Sequence, residues 1–374
     1  MRWGIFSLSQ TPDQDVVVQT IDEHMEQYKL AEDLGYDSIW LAEHLFSTYG
    51  IVTSTQVLLA AVARATKKIR IGSAISVLPF NHPLRTAGDF GFVDVLSNGR
   101  LDFGVGRAYQ PHEFTALGLD MSKSREMYTE ALDIILRSWT EEKIDNPNGE
   151  FWKIPVEVEV LPKPVQKPHP PIWSATVSPE SFIAVAESGY NLIMGAPFAY
   201  RIYREEWVDK MAESIGTYEA HCVEIGRDPK AAKRLMLVPF YCDTDAERAR
   251  STFGAYVTWF YRKVSGHQLG AKKEEVIVKG YETAMSGNLK SMKEGYLEYD
   301  MLHKYGAICA SDPDGCADFL INLQKKLGID EFVLWTSVGG LPHENCVNSM
   351  KLVMERVVPK VEAACGIKAS TAAA

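Results

Sequence analysis

Cysteine is scarce in this sequence and follows no recognisable pattern. The six cysteines of the 374-residue chain are scattered, with no CxxC pair and no spacing typical of metal ligands: Cys222, Cys242, Cys309, Cys316, Cys346 and Cys365. The sequence therefore indicates neither a disulfide framework nor a zinc site. We expect reduced cysteines in a reducing compartment, and no bound metal.

Excess positive charge and long apolar runs are also missing. The formal net charge is −10, so no basic stripe is available to displace counterions from nucleic-acid phosphates. No stretch approaches the roughly 20 apolar residues that a bilayer-spanning helix needs. The opening MRWGIFSLSQ lacks the charged region and cleavage site of a signal peptide. We therefore expect a cytoplasmic protein with neither a nucleic-acid nor a membrane partner.

What the sequence does contain is a regular alternation of strand-like and helix-like segments. Strand patterns occur at 3–8, 38–41, 69–78, 101–105, 172–174, 191–194, 235–242 and 331–337. Helical patterns with short links separate most of them, as in parallel βαβ units. No GxGxxG turn follows the first strand, which weakens a Rossmann interpretation. The alternation predicts an α/β fold, a TIM (β/α)8 barrel, with a doubly wound sheet as the open alternative.

Two segments interrupt this alternation. Residues 143–170 are rich in proline and charge and contain VEVEVLP, which predicts an inserted hairpin or loop. Residues 262–306 are polar and long for a connector, and such segments are usually functional or disordered. We predict one domain over 1–368 and a disordered tail at 369–374.

A histidine follows the second strand, where TIM barrels carry their chemistry. His44 ends the stretch WLAEH and can act as an acid or a base near neutral pH. The alternative is a structural histidine whose hydrogen-bonding partner is Glu43.

An arginine and a helix start follow the fourth and fifth strands. Arg107 comes directly after a glycine-rich strand, and a guanidinium can bind two phosphate oxygens at once. Ser178 before Pro179 predicts a helix N-cap, and helix N-termini bind phosphate. Arg107 and this turn could therefore hold one phosphate. The alternatives are an ordinary ion pair for Arg107 and simple capping for Ser178.

Taken together, these segments resemble the bacterial luciferase-like flavin monooxygenases, including the luciferase α-subunit. The resemblance covers most of residues 1–195. It is carried by GIFSLSQ (4–10), LGYDSIWLAEHLF (34–46), KIRIGSAISVLPFNHPLR (68–85), LSNGRLDFGVGRAYQPHEF (96–114), SKSREMYTEAL (122–132) and PPIWSATVSPES (170–181).

The resemblance implies a role for each matching position. His44 matches the active-site histidine, and Arg107 matches the arginine that binds the phosphate of FMN. The segment 262–306 matches a mobile lid. The other expected cofactor contacts are the pair Ala74 and Ile75, joined in the family by a non-prolyl cis peptide beside the flavin ring; Tyr109, on the loop after the arginine; and the phosphate turn Thr176, Val177 and Ser178.

The implied activity is that of an FMN-dependent monooxygenase. Reduced FMN, supplied by a separate flavin reductase, would react with O2 to give a C4a-peroxyflavin that oxidises a small organic substrate. The family usually dimerises through helices near the second and third strands, so a homodimer is expected. Gly106 stands where the luciferase α-subunit has a reactive cysteine, and we expect a locally wider pocket and no light emission. The phosphate turn also lacks the glutamate of the luciferase.

Two alternatives remain at this point. One is a deazaflavin-dependent dehydrogenase on the same barrel, which would transfer hydride without oxygen. The other is a non-catalytic flavin-binding subunit, against which the presence of His44, Arg107 and the long segment 262–306 argues.

Overall fold

Eight parallel strands form a closed barrel in the computed structural model, which describes residues 1–268 and 277–366. Each strand pairs with its neighbours in the chain, and the last pairs with the first, so the sheet has the closure of a TIM barrel rather than the open edges of a doubly wound sheet. The barrel strands are β1 (Arg2–Ser7), β2 (Ser38–Leu41), β3 (Arg70–Ser73), β4 (Leu101–Gly106), β5 (Ile172–Ala175), β6 (Asn191–Gly195), β7 (Arg234–Cys242) and β8 (Glu331–Trp335).

Helices surround the barrel and connect its strands. They are α1 (Val17–Leu34), α2 (Thr55–Ala65), α3 (Pro83–Ser97), α4 (Pro111–Leu117), α5 (Ser124–Thr140), α6 (Pro179–Ser188), α7 (Ala196–Tyr203), α8 (Trp207–Glu224), α9 (Ala246–Gln268), α10 (Glu282–Lys293), α11 (Tyr299–Lys304), α12 (Pro313–Leu327), α13 (His343–Leu352) and α14 (Val358–Ala364). Helix α1 ends where the sequence predicts, because Gly35 adopts the left-handed φ of +87° that terminates a helix.

Four short strands lie outside the barrel. Ile144–Asn146 and Ile154–Val158 pair antiparallel in the inserted residues 143–170. Ser76–Val77 pairs with the end of β4, and Cys309–Ser311 extends the sheet beside the end of β7.

The sequence-based boundaries were wrong at several places. The predicted third strand, 69–78, breaks after Ser73 at a cis peptide between Ala74 and Ile75. The segment between β6 and Ile225 forms two helices, α7 and α8, because Arg204 has a φ of +54° between them.

The connector 262–306 is largely helical where it is described. It comprises the end of α9 together with α10 and α11. Its residues 269–276 lie outside the described residues, as does the tail 369–374 that we predicted to be disordered.

Large aromatic side chains and paired charges fill the barrel and its N-terminal end. The rings of Trp40 and Trp173 meet edge to face at 5.3 Å. Trp40 packs so closely on β3 that a Cβ at Gly72 would lie 2.4 Å from its ring. The buried carboxylate of Glu331 accepts hydrogen bonds from Trp40 Nε1 at 2.8 Å and Ser38 Oγ at 2.5 Å. This end of the barrel therefore serves stability, and the opposite end is open to function.

None of the helices in the described parts of the chain has the length and apolar character needed to cross a membrane. All six cysteines are free, and five are buried, as expected for reduced cysteines of the core.

Candidate active site

A cavity lies at the C-terminal ends of the barrel strands. Its walls are mainly apolar and come from all around the barrel, including Phe6 of β1, Ile193 of β6 and Trp335 of β8. The polar side chains that line it are Glu43, His44, Tyr109 and Glu113. The aromatic side chains of Phe6, Trp40, Tyr109 and Trp335 line the cavity, whereas Trp173 is buried outside its lining and Phe46 is largely exposed.

The cavity has a volume of about 130 Å³, below the roughly 300–1,000 Å³ of typical ligand pockets. Tyr109 and Phe198 both line it, and their rings pack edge to face with centroids 5.4 Å apart. Because these are side chains on loop and helix rather than strand backbone, rotation about their χ angles can enlarge the cavity for a planar ring.

His44 lies at the cavity wall directly after β2, and its side chain is buried. Its Nδ1 is 3.0 Å from Oε1 of Glu113, the same oxygen that accepts the Leu45 N–H at 2.8 Å. A carboxylate that contacts one ring nitrogen orients the imidazole ring. His44 is therefore equipped to hold or transfer a proton at the cavity.

Three further polar side chains complete the surroundings of His44. The Tyr49 hydroxyl lies 2.7 Å from Nδ1 and 2.9 Å from Nε2 of His44, and 3.2 Å from the Tyr109 hydroxyl. Gln110 Nε2 donates to the Tyr49 hydroxyl at 3.0 Å. Burial raises the pKa of Tyr109 to about 12 and that of Tyr49 well above its ordinary value. Both phenols therefore stay protonated at neutral pH and can donate hydrogen bonds.

Glu43 is not the partner of His44, so that alternative was wrong. Its carboxylate accepts hydrogen bonds from the Val77 N–H at 2.8 Å and the Thr55 N–H at 3.1 Å. It thereby joins the start of α2 to the strand segment after the cis peptide. Burial raises the pKa of Glu43 to about 7, although these donors oppose the shift.

Arg107 follows β4 at the rim of the barrel. Its Nη2 donates to the carbonyl of Gly280 at 2.7 Å, and its guanidinium stacks on the ring of Tyr281 with Cζ 4.2 Å from the centroid. Both partners belong to the connector between α9 and α10. Burial lowers the pKa of Arg107, but arginine remains charged at neutral pH. Arg107 therefore contacts a backbone carbonyl and an aromatic ring instead of forming the ordinary ion pair that the sequence left open.

The turn before α6 follows β5, the strand that pairs with β4. Arg107 and Thr176–Ser178 thus follow adjacent strands at the same end of the barrel. Thr176 is fully buried, and its N–H and hydroxyl both donate to the carbonyl of Ile193. Val177 N–H donates to Ser181 Oγ at 3.1 Å.

The predicted N-cap position of Ser178 is confirmed, but its side chain makes no capping bond. The backbone of Ser178 is extended there. Ser181 Oγ, one turn into the helix, donates to the Ser178 carbonyl at 2.5 Å and accepts the Val177 N–H, so it closes the turn instead. Pro179 has no N–H, and the Ser181 N–H donates to the Ser178 carbonyl at 2.9 Å. The start of α6 therefore contributes mainly the positive end of its dipole to this end of the barrel.

The pair Ala74 and Ile75 lines the cavity and is joined by a non-prolyl cis peptide. Gly106 does not leave the open space that the sequence suggested. A Cβ at Gly106 would lie 2.0 Å from Ile75 Cδ1. The Ile75 side chain therefore fills the volume that a larger residue at position 106 would occupy.

Sequence reasoning missed the roles of several residues at this site. Glu113 and Gln110 were placed on a loop but belong to α4 and its N-cap. Tyr49 belongs to no sequence motif that would have identified it. Arg201, on α7, is fully buried, and its Nε donates to Asn288 Oδ1 at 3.0 Å. Burial lowers the pKa of Arg201, while the nearby Tyr109 and Tyr49 oppose that shift.

Within residues 1–268 and 277–366, no group of three or more His, Cys, Asp or Glu side chains could hold a metal ion.

Comparison with known proteins identifies the family. Residues 1–331 match the family model described as luciferase-like monooxygenase. The chain is 27% identical to the oxygenase component of a flavin-dependent trigonelline monooxygenase from Acinetobacter baylyi, over 96% of this chain and 95% of the relative. It is 32% identical to an alkanal monooxygenase alpha chain of the Kryptophanaron alfredi symbiont, over 70% of each chain.

A solved structure agrees with these relatives. Monooxygenase RslO1 from Streptomyces bottropensis superposes with a TM-score of 0.79 at 26% identity, covering 96% of this chain and 99% of that one. The chain therefore belongs to the luciferase-like monooxygenases, a family of TIM-barrel oxidoreductases.

Proposed function

We propose that this protein is an FMN-dependent monooxygenase that receives reduced FMN from a separate reductase and uses O2 to oxidise a small organic substrate. The proposal rests on one arrangement of side chains at the end of the barrel. A buried His44–Glu113 pair lies at the wall of an apolar cavity, while Arg107 and the N-terminus of α6 follow the adjacent strands β4 and β5 at the same end of the barrel.

The residues present fit FMN. Arg107 supplies a fixed cation, and the start of α6 supplies the positive end of a helix dipole for a phosphate. The small and aliphatic side chains at the cavity wall, including Ala74, Ile75 and Val177, suit contact with a planar ring once Tyr109 and Phe198 have moved aside. When bound, the reduced flavin supplies the electrons for oxygen activation.

The protein's own residues have three tasks. His44 holds or moves a proton at its Nε2, with Glu113 fixing the ring through Nδ1. Tyr49 and Tyr109 donate hydrogen bonds beside it. The apolar wall excludes water from the reacting groups, which protects a reactive oxygen species from hydrolysis.

The partners follow from the same features. The apolar lining fits an uncharged organic substrate. The trigonelline relative is described as an oxygenase component, which supports a separate reductase here. A homodimer would cover apolar side chains on α2 and α3, where Val57, Phe92 and Val95 are 70%, 52% and 40% exposed.

A substrate screen with a generic flavin reductase tests this function. The reductase, NADH and FMN would be combined with this protein, 18O2 and a panel of small uncharged organic compounds. We expect at least one compound to gain a single 18O atom, and none to do so without this protein. If every compound stays unlabelled while reduced deazaflavin supports hydride transfer to a substrate, the protein is instead a deazaflavin-dependent dehydrogenase.

A further inference from the structure

Tyr281 is fixed to the rim of the barrel by its hydroxyl. That hydroxyl donates to the carbonyl of Ala108 at 2.9 Å and lies 3.3 Å from the carbonyl of Arg107, and Ser124 Oγ is 2.9 Å away. Ala108 has a φ of +63°, in the left-handed region that alanine rarely adopts. Tyr281 therefore holds the backbone that carries Arg107 in an unusual conformation.

The ring of Tyr281 is buried in a small apolar cluster. Phe114 and Met121 are its buried neighbours, and Val278 and Met285 pack against the same cluster from the connector. The connector segment 277–285 is thus docked on the barrel through this cluster. The guanidinium of Arg107 lies over this ring in a cation–π contact, with its Cζ 4.2 Å from the ring centroid.

Arg107 joins the docked segment to the anion site proposed above. A guanidinium has five N–H donors, and the Gly280 carbonyl accepts from Nη2. Stacking on Tyr281 fixes the plane of the guanidinium, and the remaining donors in that plane suit the oxygens of a phosphate. Any ligand that favours this orientation of Arg107 therefore also favours docking of segment 277–285, because the coupling between two such equilibria is reciprocal.

We propose that Tyr281 is a positioning residue for the cofactor phosphate: it orients Arg107, so that binding of a phosphorylated flavin and docking of segment 277–285 are one coupled event. The inference rests on the proposed function, because it takes Arg107 as the phosphate ligand. It adds a residue from the connector to the flavin site. It also implies that docking of segment 277–285 depends on the phosphate of the flavin and not on the flavin ring.

The test compares FMN with riboflavin, which lacks the phosphate. Dissociation constants would be measured anaerobically for both reduced flavins by quenching of tryptophan fluorescence, with the full chain and with Tyr281→Leu. We expect FMN binding to weaken about tenfold in Tyr281→Leu, because the stacked partner of Arg107 is lost, and riboflavin binding to change less than about twofold. Tyr281→Phe, which keeps the ring, separates the stacking from the hydroxyl.

Hydrogen exchange supplies a second readout. FMN should slow exchange of the amides of 277–285 in the full chain, riboflavin should not, and Tyr281→Leu should abolish the difference. Tyr296→Leu is the matched control, since Tyr296 lies in the same connector and has its own arginine, Arg204, at 5.8 Å from its ring. It should leave FMN binding unchanged.

Arg107→Ala distinguishes a failure of the role proposed for Tyr281 from a failure of the phosphate site. Selective loss of FMN binding in Arg107→Ala together with unchanged FMN binding in Tyr281→Leu would overturn the role of Tyr281 and leave the phosphate site intact. Equal weakening of FMN and riboflavin in Arg107→Ala would overturn the phosphate site itself, and the inference with it.

Discussion

Nδ1 of His44 lies 3.0 Å from Oε1 of Glu113, although 69 positions separate the two residues in the chain. One follows β2 and the other belongs to α4. Both side chains are buried, so this contact is sheltered from solvent. The pair gives the apolar cavity a proton-handling group whose orientation is fixed by the fold.

Removing either member of this pair should lower turnover without preventing flavin binding. With a substrate from the 18O2 screen, we expect His44→Ala to reduce turnover about 10²-fold or more, the usual effect of losing a general acid or base. Glu113→Gln, which keeps an acceptor for the Leu45 N–H, should reduce it about tenfold.

A double variant tests whether Glu113 acts through His44. If it does, His44→Ala with Glu113→Gln should be no slower than His44→Ala alone. Additive losses would show that Glu113 has a separate function. His303→Ala, a partly buried histidine on α11, is the control and should leave turnover unchanged.

Glu43 should make the stability of the protein depend on pH. Its pKa is about 7 in the folded chain and 4.5 ordinarily. Between these values the folded chain binds more protons than the unfolded chain, so the free energy of unfolding falls as pH rises through this window.

Glu43→Gln should flatten that dependence, measured by urea unfolding between pH 4.5 and 7. The variant is expected to be less stable overall by about 1–3 kcal/mol, because one of its amide atoms cannot accept the bonds from Val77 or Thr55. The decisive quantity is the slope of the free energy of unfolding against pH. An unchanged slope in Glu43→Gln would show that Glu43 does not cause the pH dependence.

Two glycines of β4 should respond differently to the same substitution. A Cβ at Gly104 would lie 1.9 Å from the Ser73 backbone oxygen, which cannot move away, whereas a Cβ at Gly106 would meet the flexible end of Ile75. We expect Gly104→Ala to destabilise the chain by about 3 kcal/mol and Gly106→Ala by about 1 kcal/mol.

Flavin binding distinguishes them further. Gly106→Ala should weaken it, because Ile75 is pushed into the cavity that it lines. Equal losses of stability in urea unfolding, or unaltered flavin binding in Gly106→Ala, would contradict this description of the strand.

The sequence predicted the barrel because each of its eight strands is a short apolar segment next to a helical pattern. It also placed His44, Arg107 and the turn 176–178 at strand ends, since TIM barrels carry function there. It could not identify Glu113 as the partner of His44, because a contact between residues 69 positions apart depends on how α4 packs over the barrel.

Other misses have local causes. Ser178 has the residue type of an N-cap, but the hydrogen bonds that close this turn are made by the Ser181 hydroxyl. The helices of 277–306 were unexpected because their exposed, charge-rich sequence has weak amphipathic periodicity. The strand Cys309–Ser311 was not predicted, since a three-residue strand carries almost no periodic signal. Helix α12, which follows this strand, was not predicted either.

An apolar side chain on α3 offers a test of the homodimer. Phe92 is 52% exposed, and burying such a ring in an interface contributes about 1.5–3 kcal/mol. We expect Phe92→Glu to yield monomers in sedimentation velocity, while Val223→Glu on α8, also an exposed apolar position, leaves the dimer intact. A monomeric unsubstituted protein at micromolar concentration would contradict the homodimer.

The most direct test of the proposed chemistry is rapid mixing of the complex with reduced FMN against oxygenated buffer, without substrate. If the apolar cavity and His44 protect the oxygen chemistry from water, the return of oxidised FMN absorbance should lag far behind oxygen consumption, and His44→Ala should shorten that lag. Immediate reoxidation at the rate of free reduced FMN, with full release of hydrogen peroxide, would contradict the account.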